Sequence, residues 1–188
     1  MYFSKEKKLC LYEPPKTGTR TAQAFLRSVG WHFLAPDHGF PEDYLKAHPN
    51  LYNYKAFAFF RNPLDRFISL ILFVKQHYSS NIKTKDKNIK DYSYEEFVNS
   101  FDVIKSHIPI LSAAQSCWMT HPNTEVLNFD NYEAEIRRIS GDYTNPVIIK
   151  NKSTDFGRSV VTQKVIDFVR QEYAADYALA KDRLGKEY

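Results

Sequence analysis

Two short apolar runs decide the architecture open to this chain. Leu9-Cys10-Leu11-Tyr12 halts at Glu13-Pro14-Pro15, and Lys55-Ala56-Phe57-Ala58-Phe59-Phe60 halts at Arg61-Asn62-Pro63. Runs of this length bounded by proline read as buried strands, because proline cannot donate to a sheet ladder. Each leads through a short polar loop into a helical pattern. The first pattern spans Ala22 to Val29 and is closed by Gly30; the second starts at Pro63, with Asn62 as N-cap and Asp65 in the first turn, and runs to about Tyr78. Further along, the pattern predicts a short strand at Trp31–Leu34 and a helical turn at Glu42–Ala47. It also predicts helical stretches at Tyr94–Phe101 and Leu111–Met119, a strand at Glu125–Phe129, a helix at Tyr132–Ile139 and a last short strand at Pro146–Ile149. Apolar residues at Val165, Ile166, Val169, Tyr173, Tyr177 and Leu184 predict one amphipathic helix over Thr162–Leu184. Strands alternating with helices imply an α/β fold with a central, mainly parallel sheet flanked by helices.

Composition narrows the class. A length of 188 residues predicts one domain spanning 1–188, at about 150 residues per domain. A 43% hydrophobic content with 14 Phe and 13 Tyr provides a real core and excludes intrinsic disorder. The longest apolar run, around Leu70-Ile71-Leu72-Phe73-Val74, is far shorter than the roughly 18 to 20 residues a bilayer span requires. Met1-Tyr2-Phe3-Ser4 followed by Lys5-Glu6-Lys7-Lys8 does not read as a signal peptide. The expectation is a cytoplasmic protein without a membrane span. Cys10 and Cys117 are too few and too far apart for a disulfide framework, and no metal-ligand spacing occurs. The formal net charge is +4. That excess is mixed along the chain rather than gathered in a stripe, which argues for a small anionic ligand and against nucleic acid.

In open α/β sheets, ligands bind beyond the carboxyl ends of the strands. The loop after the first strand, Pro15-Lys16-Thr17-Gly18-Thr19-Arg20-Thr21, sets cations, a glycine and three threonine hydroxyls at a helix N-terminus, where free N–H groups and a partial positive charge favour phosphate or sulfate. A nucleoside-triphosphate loop needs lysine after its second glycine; this loop has one glycine, and Lys16 precedes it. After the second strand comes Arg61, and the helix that follows sets Asn62, Arg66 and Ser69 at i, i+4 and i+7 on one face. Arginine can hold a phosphate through two parallel hydrogen bonds and serine can add a third. Each loop taken separately could be a plain strand-to-helix connection or cap. Together, at two strand ends, they point to one ligand with two phosphate-like groups.

These residues resemble a known family. Pro15 to Thr21 is similar to the 5′-phosphosulfate-binding loop of sulfotransferases, and Phe60-Arg61-Asn62-Pro63-Leu64-Asp65-Arg66-Phe67-Ile68-Ser69 is similar to their 3′-phosphate-binding strand and helix. Weaker similarity to carbohydrate sulfotransferases covers Val126–Tyr132 and Ile149-Lys150-Asn151-Lys152-Ser153. The resemblance implies a P-loop-like three-layer fold and use of 3′-phosphoadenylyl sulfate (PAPS) as co-substrate, with release of the nucleotide 3′,5′-bisphosphate PAP and no metal. It implies an acceptor hydroxyl on a small molecule or glycan. Lys16 would neutralise the leaving oxygen, Thr17, Gly18, Thr19, Arg20 and Thr21 would hold the 5′ end, and Arg61 and Ser69 the 3′-phosphate. Lys150–Ser153 would close over the nucleotide. The chain departs from many relatives in carrying Arg20 where they have a small residue or threonine.

An acceptor hydroxyl needs a general base, and histidine suits neutral pH. His38, between the two motifs where similarly arranged carbohydrate sulfotransferases carry theirs, is the favoured base and His48 the second. His32 is expected to pack beside a strand, and His77, His107 and His121 have no special claim. Lys83, Lys85, Lys87 and Lys90 read as a solvated loop. Two other functions fit the same loops: a nucleotide kinase with a degenerate phosphate loop, and a non-catalytic module that binds PAP.

Overall fold

The computed structural model describes residues 1–35, 38–79, 82, 87–149 and 161–188. Its strands are β1 (Tyr2–Ser4), β2 (Leu9–Tyr12), β3 (His32–Phe33), β4 (Lys55–Phe60) and β5 (Thr124–Asn128). Its helices are α1 (Thr19–Ser28), α2 (Pro41–Ala47), α3 (Pro63–His77), α4 (Tyr94–Asn99), α5 (Phe101–His107), α6 (Pro109–Ser112), α7 (Tyr132–Ser140), α8 (Gln163–Glu172) and α9 (Ala174–Leu184). The sheet order is β3-β1-β2-β4-β5. The run β2-β4-β5, which ends at the β5 edge, is parallel, while β1 runs antiparallel to both β2 and β3. The fold is α/β.

Register places the site. Tyr12 of β2 lies opposite Ala58, and Ala58 opposite Val126, so the three parallel strands end on one edge. The loops that follow them, at 13–18, 61–62 and 129–131, therefore open side by side. Alternation along the strands feeds two cores. Leu11, Phe57, Phe59 and Leu127 pack with Ala22, Phe25 and Leu26 of α1 and Ile136 and Ile139 of α7. Cys10, Tyr12, Ala56 and Ala58 face the other way, against Tyr44, Leu51, Tyr54 and Trp118. A third cluster joins Phe67, Leu70, Ile71 and Val74 of α3 to α4, α5 and α8. As the sequence predicts, Asn62 caps α3: its side chain accepts from the N–H groups of Leu64 and Asp65, with Pro63 in the first turn.

Three expectations are corrected. Pro146–Ile149 forms no strand; Ile148 and Ile149 are exposed, and Val147 packs against the sheet core instead. The C-terminal helix is two helices broken at Tyr173, which is buried and donates its hydroxyl to the Ser112 carbonyl at 2.9 Å. Burial of that one side chain outweighs the continuous helical pattern. The Leu111–Met119 stretch divides into α6 and a 3-10 turn at Gln115–Trp118. Two elements were not expected: α5, and β1, whose Tyr2-Phe3-Ser4 pairs with β2 as an antiparallel strand. Lys83 and Lys85 lie outside the described residues, as do Lys150, Asn151, Lys152 and Ser153; Lys87 forms an exposed ion pair with Glu96.

Candidate active site

The loop between β2 and α1 turns sharply twice. Lys16 (φ 70°) and Gly18 (φ 83°) both adopt left-handed backbone, which only glycine takes without cost. Gly18 also needs its missing side chain: a Cβ there would stand 2.7 Å from the Tyr132 ring and 3.1 Å from Phe129. Its carbonyl starts α1 by accepting from the N–H groups of Thr21 (2.9 Å) and Ala22 (3.1 Å), and also accepts from the Tyr132 hydroxyl (3.0 Å). No side chain caps α1, and its first turn holds no acidic residue. The positive end of the helix is therefore not offset by a cap or acid of its own first turn.

A cavity of about 1020 Å³ opens at this strand-end edge. Lys16, Gly18, Thr19, Arg20, Thr21, His38, Arg61 and Ser69 all line it, which brings together the expected residues of both loops and the favoured base, apart from Thr17 and the helix-face residues Asn62 and Arg66. The Thr17 hydroxyl donates to the Pro14 carbonyl at 2.6 Å and the residue is buried, so its side chain braces the loop. Thr19 differs: its Oγ1 is buried with no partner among the described residues, at the helix terminus where an oxyanion would supply one.

The second strand end is tied to the first. Arg61 donates through Nη1 to the Lys16 carbonyl (3.1 Å), and its guanidinium lies 5.1 Å from the Phe129 ring centre. The helix face expected from spacing splits three ways. Asn62 caps, Ser69 lines the cavity, and Arg66 turns inward. Arg66 is 1% exposed and gives its protons to the carbonyls of Pro15 (3.0 Å), Leu111 (3.1 Å) and Ala113 (2.7 Å). It braces the loop and is no ligand. The signal for the true cavity face was present, since Ser69, Leu72, Phe73, Gln76 and His77 line it at i, i+3, i+4, i+7 and i+8 of one helix.

Charge in the cavity is positive. The Lys16 ammonium sits 4.1 Å over the Phe73 ring, and its pKa is lowered to about 8, first by burial and then by Arg61, Arg20 and Arg66. The acids in the wall already have cations: Asp130 pairs with Lys186 and Glu133 with Arg137. An anion entering would relieve the repulsion among Lys16, Arg20 and Arg61.

Among the histidines, His38 lines the cavity with Nδ1 2.7 Å from the Glu13 carbonyl. A carbonyl oxygen only accepts, so Nδ1 carries a proton and Nε2 is the nitrogen at which the ring could gain or lose one. His48 is exposed at the end of α2, outside the cavity lining. His32 lies in β3 and is exposed, with its ring 5.3 Å from Phe3. His121 is buried and bonded to Leu51, and burial lowers its pKa. His77, which the sequence gave no reason to single out, lines the cavity beside Phe73. So do Phe129, Asp130, Asn131 and Tyr132 from the turn after β5. Among the described residues no group of three or more His, Cys, Asp or Glu could hold a metal ion, and no helix is long and apolar enough to cross a membrane.

An α/β sheet whose parallel strands end at a cationic cavity, with the loops after β2 and β4 tied together there, offers the charge and helix terminus that an anionic ligand needs. The sulfotransferase family profile matches residues 32–159, well over half of the chain, and the chain belongs to the sulfotransferase family. The matched stretch takes in His38, Arg61, Ser69 and the turn after β5, and begins after the Lys16 loop and α1. No curated protein and no solved structure shows a significant match to the chain.

Proposed function

We propose that the chain moves a sulfuryl group from PAPS to an acceptor hydroxyl of a carbohydrate, without a metal. The observation that carries this reading is that Lys16, the α1 terminus, Arg61, Ser69 and His38 line one cavity. Its volume of about 1020 Å³ stands at the upper end of the roughly 300–1,000 Å³ range of ligand pockets, enough for a nucleotide and part of an acceptor. Thr19 supports the fit, because its buried Oγ1, without a partner among the described residues, gains one from a 5′ oxyanion. Gln23, Gln76 and Asn131 beside Phe73 and Phe129 offer the mixture of amides and rings that suits a sugar.

PAPS supplies an activated sulfuryl group; the protein supplies position and charge. His38 Nε2 takes the acceptor proton as the acceptor oxygen bonds to sulfur, and the bond from sulfur to the bridging phosphate oxygen breaks in line. Lys16 neutralises the charge arriving on that oxygen. N–H groups at the start of α1 hold the 5′ oxygens, and Arg61 with Ser69 grips the 3′-phosphate.

The test is incubation with sulfur-labelled PAPS and a glycan panel in chelator, with thermal shifts read in parallel. Labelled glycan, stabilisation by PAP, and loss of turnover but not of PAP binding in His38→Ala are expected. Neither transfer nor a PAP shift would overturn the reading. PAP binding without turnover would make the chain a binding module, and stabilisation only by Mg-ATP a kinase.

A further inference from the structure

Arg61 is held from behind by a side chain that the sulfuryl-transfer reading does not use. Gln115 is 0% exposed; its Oε1 accepts from the Arg61 N–H at 2.9 Å and its Nε2 donates to the Arg61 carbonyl at 2.8 Å. A primary amide thereby satisfies both backbone groups of the first residue beyond β4, continuing the ladder where the strand has ended. Gln115 is itself fixed from α9. Asp176 is 0% exposed, and its carboxylate accepts from the backbone N–H of Gln115 (2.9 Å) and of Ser116 (2.8 Å), with Gln115 Nε2 at 3.4 Å. A carboxylate only accepts, so it dictates which end of the Gln115 amide is which: the NH2 faces Asp176 and the Arg61 carbonyl, leaving Oε1 for the Arg61 N–H. Arg66 holds the same segment from its other side through Leu111 and Ala113. Asp176 lies beyond residues 32–159, the stretch common to the family profile.

We propose that Gln115 and Asp176 are positioning residues for Arg61: Asp176 orients the Gln115 amide, the amide fixes the Arg61 backbone at the end of β4, and the guanidinium is thereby aimed into the cavity to select nucleotides with a 3′-phosphate. This rests on the reading of Arg61 as the 3′-phosphate ligand. A free backbone at Arg61 would swing the guanidinium away from Lys16 and off its anion, whereas the 5′ end, held by α1, would be little affected.

Calorimetric titration of PAP and of 5′-AMP, with melting curves to verify folding, tests both layers. Wild-type protein should prefer PAP by on the order of 30-fold, the size of a charge-assisted hydrogen bond to phosphate, and Arg61→Ala should remove most of that preference, leaving what Ser69 supplies. Gln115→Met should weaken PAP about tenfold with little change for 5′-AMP, and should cost less than about twofold more in the Arg61→Ala background, because the two residues act as one unit. If Gln115→Met does not fold, Gln115→Asn keeps a polar amide in the pocket but is one methylene too short to reach both Arg61 backbone groups, and the same cycle should show about a threefold effect. A folded Gln115 variant that retains the PAP preference, or that weakens PAP equally with and without Arg61, overturns the relay. Wild-type protein that binds PAP and 5′-AMP alike overturns the reading of Arg61 on which the relay rests.

Discussion

Replacing Gly18 by alanine should damage the protein through two separable costs. The first is conformational: at φ 83° an L-residue carries roughly 1–2 kcal/mol of strain. The second is steric. The new Cβ would stand 2.7 Å from one Tyr132 ring carbon and 3.1 Å from another, and that ring cannot step aside. It is stacked on Phe59 at 4.4 Å between ring centres and anchored by its hydroxyl to the Gly18 carbonyl. Forcing a methyl against a pinned ring costs about 1–3 kcal/mol. The sum, about 3 kcal/mol, corresponds to a drop of about 6–12 °C in melting temperature for a chain of this size. Gly30→Ala is the matched control, because Gly30 has φ 82° but nothing among the described residues within 4 Å of its would-be Cβ; it should lose only the strain, about 2–8 °C. Differential scanning calorimetry of both variants separates the terms. Melting of Gly18→Ala within about 2 °C of Gly30→Ala would refute the claim that the loop and the turn after β5 are locked together. Turnover should fall further than stability predicts, since displacement by about 1 Å at a catalytic loop costs up to about 100-fold.

Lys16 gives opposite pH signs for stability and activity. Its pKa in the folded chain, about 8, lies below the ordinary 10.5; between these values the unfolded chain binds more protons, so stability should rise with pH there, while kcat/KM falls above about pH 8 as the ammonium is lost. A pH profile of kcat/KM flat to pH 10, or a stability rise that persists in Lys16→Met, would contradict this. Arg66→Ala should cost about 3–5 kcal/mol in urea unfolding, because it strands buried carbonyls at Pro15, Leu111 and Ala113 and empties a large side-chain volume; a loss below about 1 kcal/mol would show those bonds to be dispensable. The two threonines should separate cleanly. Thr17→Val should lose about 1 kcal/mol of stability with its bond to Pro14, whereas Thr19→Val should melt no lower than wild type and bind PAP more weakly; the reverse pattern would exchange their roles.

Much of the strand-end chemistry was legible because it is local. A strand halted by Pro14-Pro15, a helix opened by Asn62-Pro63, and cations beside a glycine are statements about neighbours in sequence, and the fold keeps them. What was not legible depends on burial by distant partners. Arg66 has the spacing of a ligand, yet the carbonyls of Pro15, Leu111 and Ala113 draw it inward. Tyr173 interrupts a helix pattern that local propensity would continue, because Ser112 accepts its hydroxyl. Val147-Ile148-Ile149 has strand composition, but β5 takes no partner there among the described residues. His77 escaped notice because its claim comes only from sharing a helix face with Ser69. Gln115 looks like an ordinary polar residue until Arg61 and Asp176 meet around it.

If one cavity holds both ends of a 3′,5′-bisphosphorylated nucleotide, a crystal structure of the protein with PAP will show it. The 3′-phosphate should lie on Arg61 and Ser69 and the 5′-phosphate at the first N–H groups of α1, within reach of Lys16 and Thr19, with His38 Nε2 facing the position of the transferred group. PAP bound elsewhere, or with its adenosine reversed so that the 3′-phosphate meets the Lys16 loop, would contradict the assignment.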